Sequence, residues 1–336
     1  MRKTSNVHAL GRGLALVAAG LMAALMVWAG GAAGNDPAAT APAIAQPDGR
    51  ARRRPHPART PKPLALPADL KIPRYAPGPP PFRTGETLVY DASWVGIPAA
   101  EARFTLTRNK AHPEWWTGQM WITSSKPVDL LYRMRDYFRE DFLHDSLVPN
   151  DIYIFQHEKQ RQDVWRVSFD HDAHSVTSVK TNKEGRTWIR RFSGGDPFGP
   201  FSGAMIALSQ PLRVGQTYTF DVFSGGNRYV FDFAVQGRER ITTALGSFDT
   251  LRIEPSVVWL SEGDFRSQTR ETTLWVTDDK RHLPVRIESA VFIGDVRADL
   301  VQAINTPGPA LNPPPAKAAA PGEPSQAAAN AYPPDD

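Results

Sequence analysis

Period-two alternation is what most constrains the fold of this chain. In "ETLVYDASW" (86–94), Leu88, Tyr90, Ala92 and Trp94 share one face, and in "AEARFTLT" Ala102, Phe104 and Leu106 do the same after the intervening "VGIPA". The style recurs in "WWTGQMWITS", "DIYIFQHE", "DVWRVSFD", "SVTSVKTN", "RTWIRRFS", "TYTFDVFS", "RYVFDFAV", "FDTLRIEPSVVWL", "ETTLWVTD", "LPVRIESAV" and "DVRADLVQ". Gly, Asn, Asp or Pro closes most runs, as hairpin turns require when a residue must take positive φ or give up its N–H. The expected class is therefore mainly β. It is a strongly curved antiparallel sheet or an incompletely closed β-barrel of about a dozen strands with one or two short helices. The helices are expected in "KPVDLLYRMRDYF" (126–138), with Pro127 in the first turn, and less regularly in "DPFGPFSGAMIALSQ" (196–210).

The strand pattern is confined to residues 82–305, read as one antiparallel β domain. Residues 35–81 and 306–336 are rich in Pro, Ala and isolated charges. They offer too little apolar side chain to offset ordering entropy, so they read as disordered linker and tail. Residues 1–34 join a basic start (Arg2, Lys3, Arg12) to an uncharged apolar run and read as a signal peptide. The run 14–33 is also long enough to span a hydrocarbon core of about 30 Å, so an uncleaved inner-membrane anchor is the alternative. Either way the expected location is outside the cytoplasm, in the periplasm. The chain contains no Cys, which removes disulfides and thiolate metal sites.

A net charge of +4 suggests nucleic acid until it is divided. Residues 1–82 hold 11 Lys and Arg against 3 Asp and Glu, whereas residues 83–305 hold 27 against 29. A folded block so nearly neutral lacks the basic surface that a nucleic-acid groove needs. The excess sits in the linker, where Arg50, Arg52, Arg53, Arg54, Arg59 and Lys62 form a basic stretch suited to spacing or to an anionic membrane surface.

No stretch carries a cofactor motif, and no Ser lies in a G-x-S-x-G elbow, so no catalytic residue is assigned. "FDHDAHSV" places Asp170, Asp172 and His174 at even spacing, a metal-ligand candidate on a strand and otherwise a polar hairpin turn. "DDKRH" between two strands has hairpin-loop length and composition, which makes His282 a turn residue. "FSGG" occurs at 192–195 and again at 223–226, read as two glycine turns after aromatic strand ends. Trp94, Tyr132 and Trp259 are the aromatic candidates for lining a ligand cavity.

Three stretches, "GETLVYDASWVGIPAAEARFTL", "GSFDTLRIEP" and "LWVTDDKRHLPVRIESAVFIGDVRADL", resemble in order and spacing the exported bacterial proteins of domain of unknown function 3108. That resemblance implies an exported β protein and brings no catalytic residues. A looser likeness in architecture is to the half-barrels that carry lipoproteins and other apolar ligands across the periplasm, and fold alone does not fix function. The leading expectation is a non-catalytic module for an apolar or amphiphilic envelope molecule: lipid, lipoprotein or glycolipid. The alternatives are an enzyme acting on an envelope polysaccharide or ester, and an assembly factor without ligand.

Overall fold

In a computed structural model, the structure describes residues 62–63, 71–80, 82–259, 271–290 and 294–306. Strands dominate: β1 (Lys62–Pro63), β2 (Glu86–Trp94), β3 (Ile97–Arg108), β4 (Trp115–Ser124), β5 (Met134–Leu143), β6 (Pro149–Glu158), β7 (Arg161–Asp170) and β8 (Ser175–Asn182) come first. Then follow β9 (Thr187–Ser193), β10 (Thr217–Ser224), β11 (Asn227–Thr243), β12 (Gly246–Trp259), β13 (Thr272–Thr277), β14 (Pro284–Ala290) and β15 (Asp295–Ile304). All belong to one sheet, ordered β1-β9-β8-β7-β6-β5-β4-β3-β2-β15-β14-β13-β12-β11-β10. The pairings from β2 to β15 are antiparallel, and the short β1 lies parallel to β9.

Alternation decides which face is inside. Tyr90, Phe104, Met120, Ile154, Val167, Phe233, Ile253 and Leu300 come from eight different strands, yet they belong to one apolar cluster. A flat sheet cannot gather them, so the sheet curls around its own inner face. Its two ends approach without pairing strand to strand. The segment after β9 closes the gap: the Phe198 N–H donates to Asp221 O (2.8 Å), and Phe198 O accepts from the Phe223 N–H (2.7 Å) on β10. The two "FSGG" copies meet at this seam. Phe192 and Phe223 rings lie edge-on with centroids 5.0 Å apart, and Arg228 Nη1 donates to Gly194 O at 2.8 Å. The architecture is thus an antiparallel sheet that is curved and not closed.

Two helices complete it, α1 (Lys126–Tyr132) and α2 (Pro200–Leu208). The helix expected over 126–138 is shorter, because Arg133 is extended (φ −65°, ψ 132°) and β5 starts at Met134. Continuing the helix would lose the β4–β5 pairing that runs from Trp115–Leu143 to Thr123–Arg135. The second helix forms where glycines made the sequence look irregular, and all nine of its residues are buried. Phe201 packs on Phe104 of β3 (centroids 5.4 Å) and against Gly118 of β4, while Gly203 faces Val222 of β10. Because α2 touches both halves of the sheet, it lies inside the curl and fills part of it. No helix among the described residues is long and apolar enough to cross a membrane. The apolar run 14–33 and the tail lie outside the described residues.

Candidate functional site

The inner face is not apolar throughout. On β5, Asp136 keeps phase with Met134 and Phe138; on β6, Gln156 and Glu158 continue from Ile152 and Ile154; on β7, Asp163 precedes Trp165 and Val167. Strand register brings these positions side by side: Asp136 opposite Gln156, Gln156 opposite Asp163, Glu158 opposite Arg161, and Trp165 opposite Lys180. Lys180 in turn lies opposite Trp188 of β9. The result is a polar, aromatic wall inside the curl, with Asp136, Glu158 and Asp163 exposed by 3%, 7% and 2%.

Buried acids need partners or a proton. Asp163 has partners: Arg161 Nε bonds to it, and Lys180 Nζ lies 3.1 Å from its Oδ2. Lys180 also stands over the Trp165 and Trp188 rings, 4.9 Å and 5.7 Å from their centroids. Burial lowers its pKa, against the attraction of Asp163. Asp136 accepts only the His157 N–H (3.0 Å), and burial followed by repulsion from Glu158 pushes its carboxyl well above the usual range. Burial also raises Glu158, although the Tyr132 hydroxyl donates to its Oε2 at 2.6 Å. Two adjacent acids this deep cannot both ionise cheaply, which holds both carboxyls above their ordinary range. Glu158 and Asp163 face Arg161 and Lys180 on the same wall, which therefore carries charges of both signs.

Two polar atoms on this wall lack a protein partner: Glu158 Oε1, an acceptor, and Trp165 Nε1, a donor. Such orphans in a native interior need an explanation, because burying an unpaired polar group costs roughly 1–3 kcal/mol. The wall reaches solvent at Arg161, whose side chain is 43% exposed. Helix α1 sits beside it through Tyr132, its last residue.

Of the aromatic candidates, Tyr132 belongs to this wall. Trp94 is one step removed and packs with Ala99, Val128 and Tyr132. The Trp259 side chain lies outside the described residues. Asp170 ends β7 and its Oδ1 accepts the Ala173 N–H (2.9 Å), while Asp172 is exposed in the same turn. His174, at φ 45°, donates from Nδ1 to Asp196 at 2.9 Å, and His171 donates from Nε2 to Pro149 O at 2.6 Å. Asp170 and His174 are therefore turned to separate partners, and Asp172 faces solvent. Among the described residues no group of three or more His, Cys, Asp or Glu is arranged to hold a metal. Arg50, Arg52, Arg53, Arg54 and Arg59 lie outside the described residues, and Lys62 begins β1.

Sequence reading missed Glu158, Asp163 and Lys180. The available signal was an acid in the apolar phase of a strand, visible in "DVWRVSFD" and "DIYIFQHE".

A family model, protein of unknown function (DUF3108), matches residues 89–301, which contain the whole wall. The chain belongs to the DUF3108 family. A search of curated proteins found no match. Among solved structures, this chain resembles a β-barrel-like protein of domain of unknown function DUF1849 from Brucella abortus, with TM-score 0.44 and 8% identity over 66% of this chain and 97% of that one. A candidate lipoprotein from Parabacteroides distasonis gives TM-score 0.32 and 9% identity over 69% and 100%. A candidate exported protein with YmcC-like fold from Bacteroides fragilis gives TM-score 0.28 and 10% identity over 69% and 100%.

Proposed function

We propose that this protein is an exported, non-catalytic module that holds an amphiphilic envelope molecule by its uncharged, hydroxyl-bearing head, as in a glycolipid. The observation that carries the reading is the pair of orphans, Glu158 Oε1 and Trp165 Nε1, on a buried wall that carries charges of both signs. A hydroxyl both donates and accepts, so it suits either atom, whereas a strongly charged head of either sign would meet a like charge on this wall. Because α2 fills one part of the curl with apolar side chains, the ligand's polar end belongs with the wall near α1. Residues 1–34 support export to the envelope, and the basic stretch Arg50, Arg52, Arg53, Arg54, Arg59 and Lys62 supports a tether near anionic headgroups.

Calorimetry with an alkyl glucoside and a fatty acid of equal chain length tests the head. The glucoside is expected to bind about tenfold tighter, one good hydrogen bond's worth. Trp165→Phe, which keeps the ring and removes the donor, is expected to narrow that gap. Equal affinity for both probes, or binding of neither, would refute the reading and leave ordered water as the partner of both atoms.

A second reading rests on the adjacent, buried Asp136 and Glu158, whose carboxyls burial and repulsion from neighbouring acids raise, since a raised carboxyl beside a second acid also suits acid–base hydrolysis of a glycoside. Release of reducing sugar from a nitrophenyl glycoside, abolished by Glu158→Gln, would favour the enzyme over the carrier.

A further inference from the structure

We propose that the corner built by α1 and the β2–β3 turn docks on an anionic lipid bilayer, independently of what the interior holds. Four large apolar side chains project there: Leu130 is 87% exposed, Val95 62%, Leu131 61% and Ile97 53%. The other large exposed hydrophobics among the described residues, Leu143, Ile189 and Val214, are scattered over separate elements. The corner is one unit. The Ser125 N–H donates to Ala99 O and the Ser125 hydroxyl to Pro98 O, both at 2.8 Å, fixing the start of α1 to β3. Underneath, Trp94, Ala99, Val128 and Tyr132 pack together, so the leucines stand on a supported base and face outward.

Two observations say what covers this corner. One is Val95, which holds φ 49° at the tip of a tight turn. A β-branched residue is a genuine outlier in the left-handed region, where Asn or Gly is favoured, so this apolar tip is kept at a cost in stability. The other is charge. Lys126 and Arg133 are exposed on α1 and at its end, and Lys159 joins them through its N–H to Arg133 O (2.8 Å). Asp129 is taken by Arg135 at 2.6 Å, and Asp295 on the neighbouring turn is exposed as an opposing acid. Apolar tips ringed by a cationic excess match the interface of an anionic bilayer. Two copies facing each other through this corner would bring like charges together.

The chain has no cysteine, so Leu130→Cys, Ile97→Cys and Ile189→Cys each give one labelling site for an environment-sensitive dye. The full chain is mixed with vesicles of equal parts phosphatidylglycerol and phosphatidylcholine, or of phosphatidylcholine alone. A blue shift with a several-fold rise in emission is expected at positions 130 and 97 with the anionic vesicles only, and no change at 189. Co-sedimentation of Leu130→Ser/Leu131→Ser with the same vesicles is expected to fall about tenfold. The proposal is overturned if dyes at 130 and 97 do not respond, which is also the result if only the basic tether binds. It is equally overturned if 189 responds alike, or if protein concentration alone produces the shift, the sign of a second copy.

Discussion

At the residue scale the β2–β3 turn is the sharpest case. Trp94 pairs with Ile97, leaving Val95 and Gly96 as a two-residue loop with φ 49° and 78°. Positive φ at both central residues is what a hairpin of right-handed twist demands. A Cβ on Gly96 would meet nothing within 4 Å, so a substitution there reads the backbone alone. Gly96→Val is expected to cost more than about 1 kcal/mol, and Pro98→Ala less, because Pro98 sits at an exposed position and only restrains its neighbour. Val95→Asn should raise the melting temperature, since Asn tolerates this region better. Thermal melts of the three variants beside the parent check this; an unchanged midpoint for Gly96→Val would deny that the loop's φ is under constraint. Gly96 announced the turn in the sequence. Val95 did not, because nothing in a valine's identity reveals that it is held at a φ it disfavours.

At the scale of elements, α2 is held at both ends by side chains from distant strands. Glu140 of β5 accepts the N–H groups of Phe201 (2.6 Å) and Ser202 (3.1 Å), and His282 in the β13–β14 loop donates from Nδ1 to Leu208 O at 2.7 Å. An acid at the N-terminus and an imidazole at the C-terminus both complement the helix dipole. Burial nevertheless pushes the Glu140 pKa from 4.5 up to about 7, against the helix donors that lower it. The folded state therefore binds a proton more tightly than the unfolded one. Its contribution is full below 4.5 and is lost as pH rises through about 7, a swing of ~3 kcal/mol at most for this shift. Urea unfolding across that window should show the parent losing more stability than Glu140→Gln; parallel curves would mean that Glu140 stays ionised. Nothing in "MRDYFREDFL" foretold this strand. Its inner positions are Met134, Asp136, Phe138, Glu140 and Phe142, and its outer ones carry Arg135, Tyr137, Arg139 and Asp141, so both faces mix rings with charges and the period-two signal cancels. Strands with one apolar face, such as β4, β8 and β10, were legible to the residue. Of the strands that supply the wall, β6 to β9 were legible and β5, which also caps the helix, was obscured by the acids on its inner face; the wall itself exists only through the register of five strands.

At the scale of the whole molecule the question is how an open sheet keeps its edges from other chains. Both edges are covered. β1 lies along β9, and the β10 edge is met by Phe198 and by the Tyr75 hydroxyl, which accepts the Thr219 N–H at 3.2 Å. Covering an edge removes the template for pairing with a second molecule. Arg228 ties the seam: it is 4% exposed, its Nε donates to Asp221 Oδ1 at 2.8 Å, and its Nη1 reaches Gly194 O from across the gap. Gly195 packs against the guanidinium, at φ 134° where a side chain would be both strained and in the way. Arg228→Ala would leave a largely buried carboxylate and a carbonyl unpartnered, so a loss of about 3–5 kcal/mol is expected. Where the loss appears is the more telling measurement. The β2–β5 hairpins do not depend on the seam, whereas β9 and β10 meet there through the segment that Arg228 anchors and the Phe192–Phe223 ring contact. Hydrogen exchange in Arg228→Ala should therefore accelerate in β9, β10 and the 194–199 segment while β3 and β4 keep their protection. Uniform acceleration across the sheet would show instead that the curl closes and opens as one cooperative unit, with the seam no weaker than any strand pair.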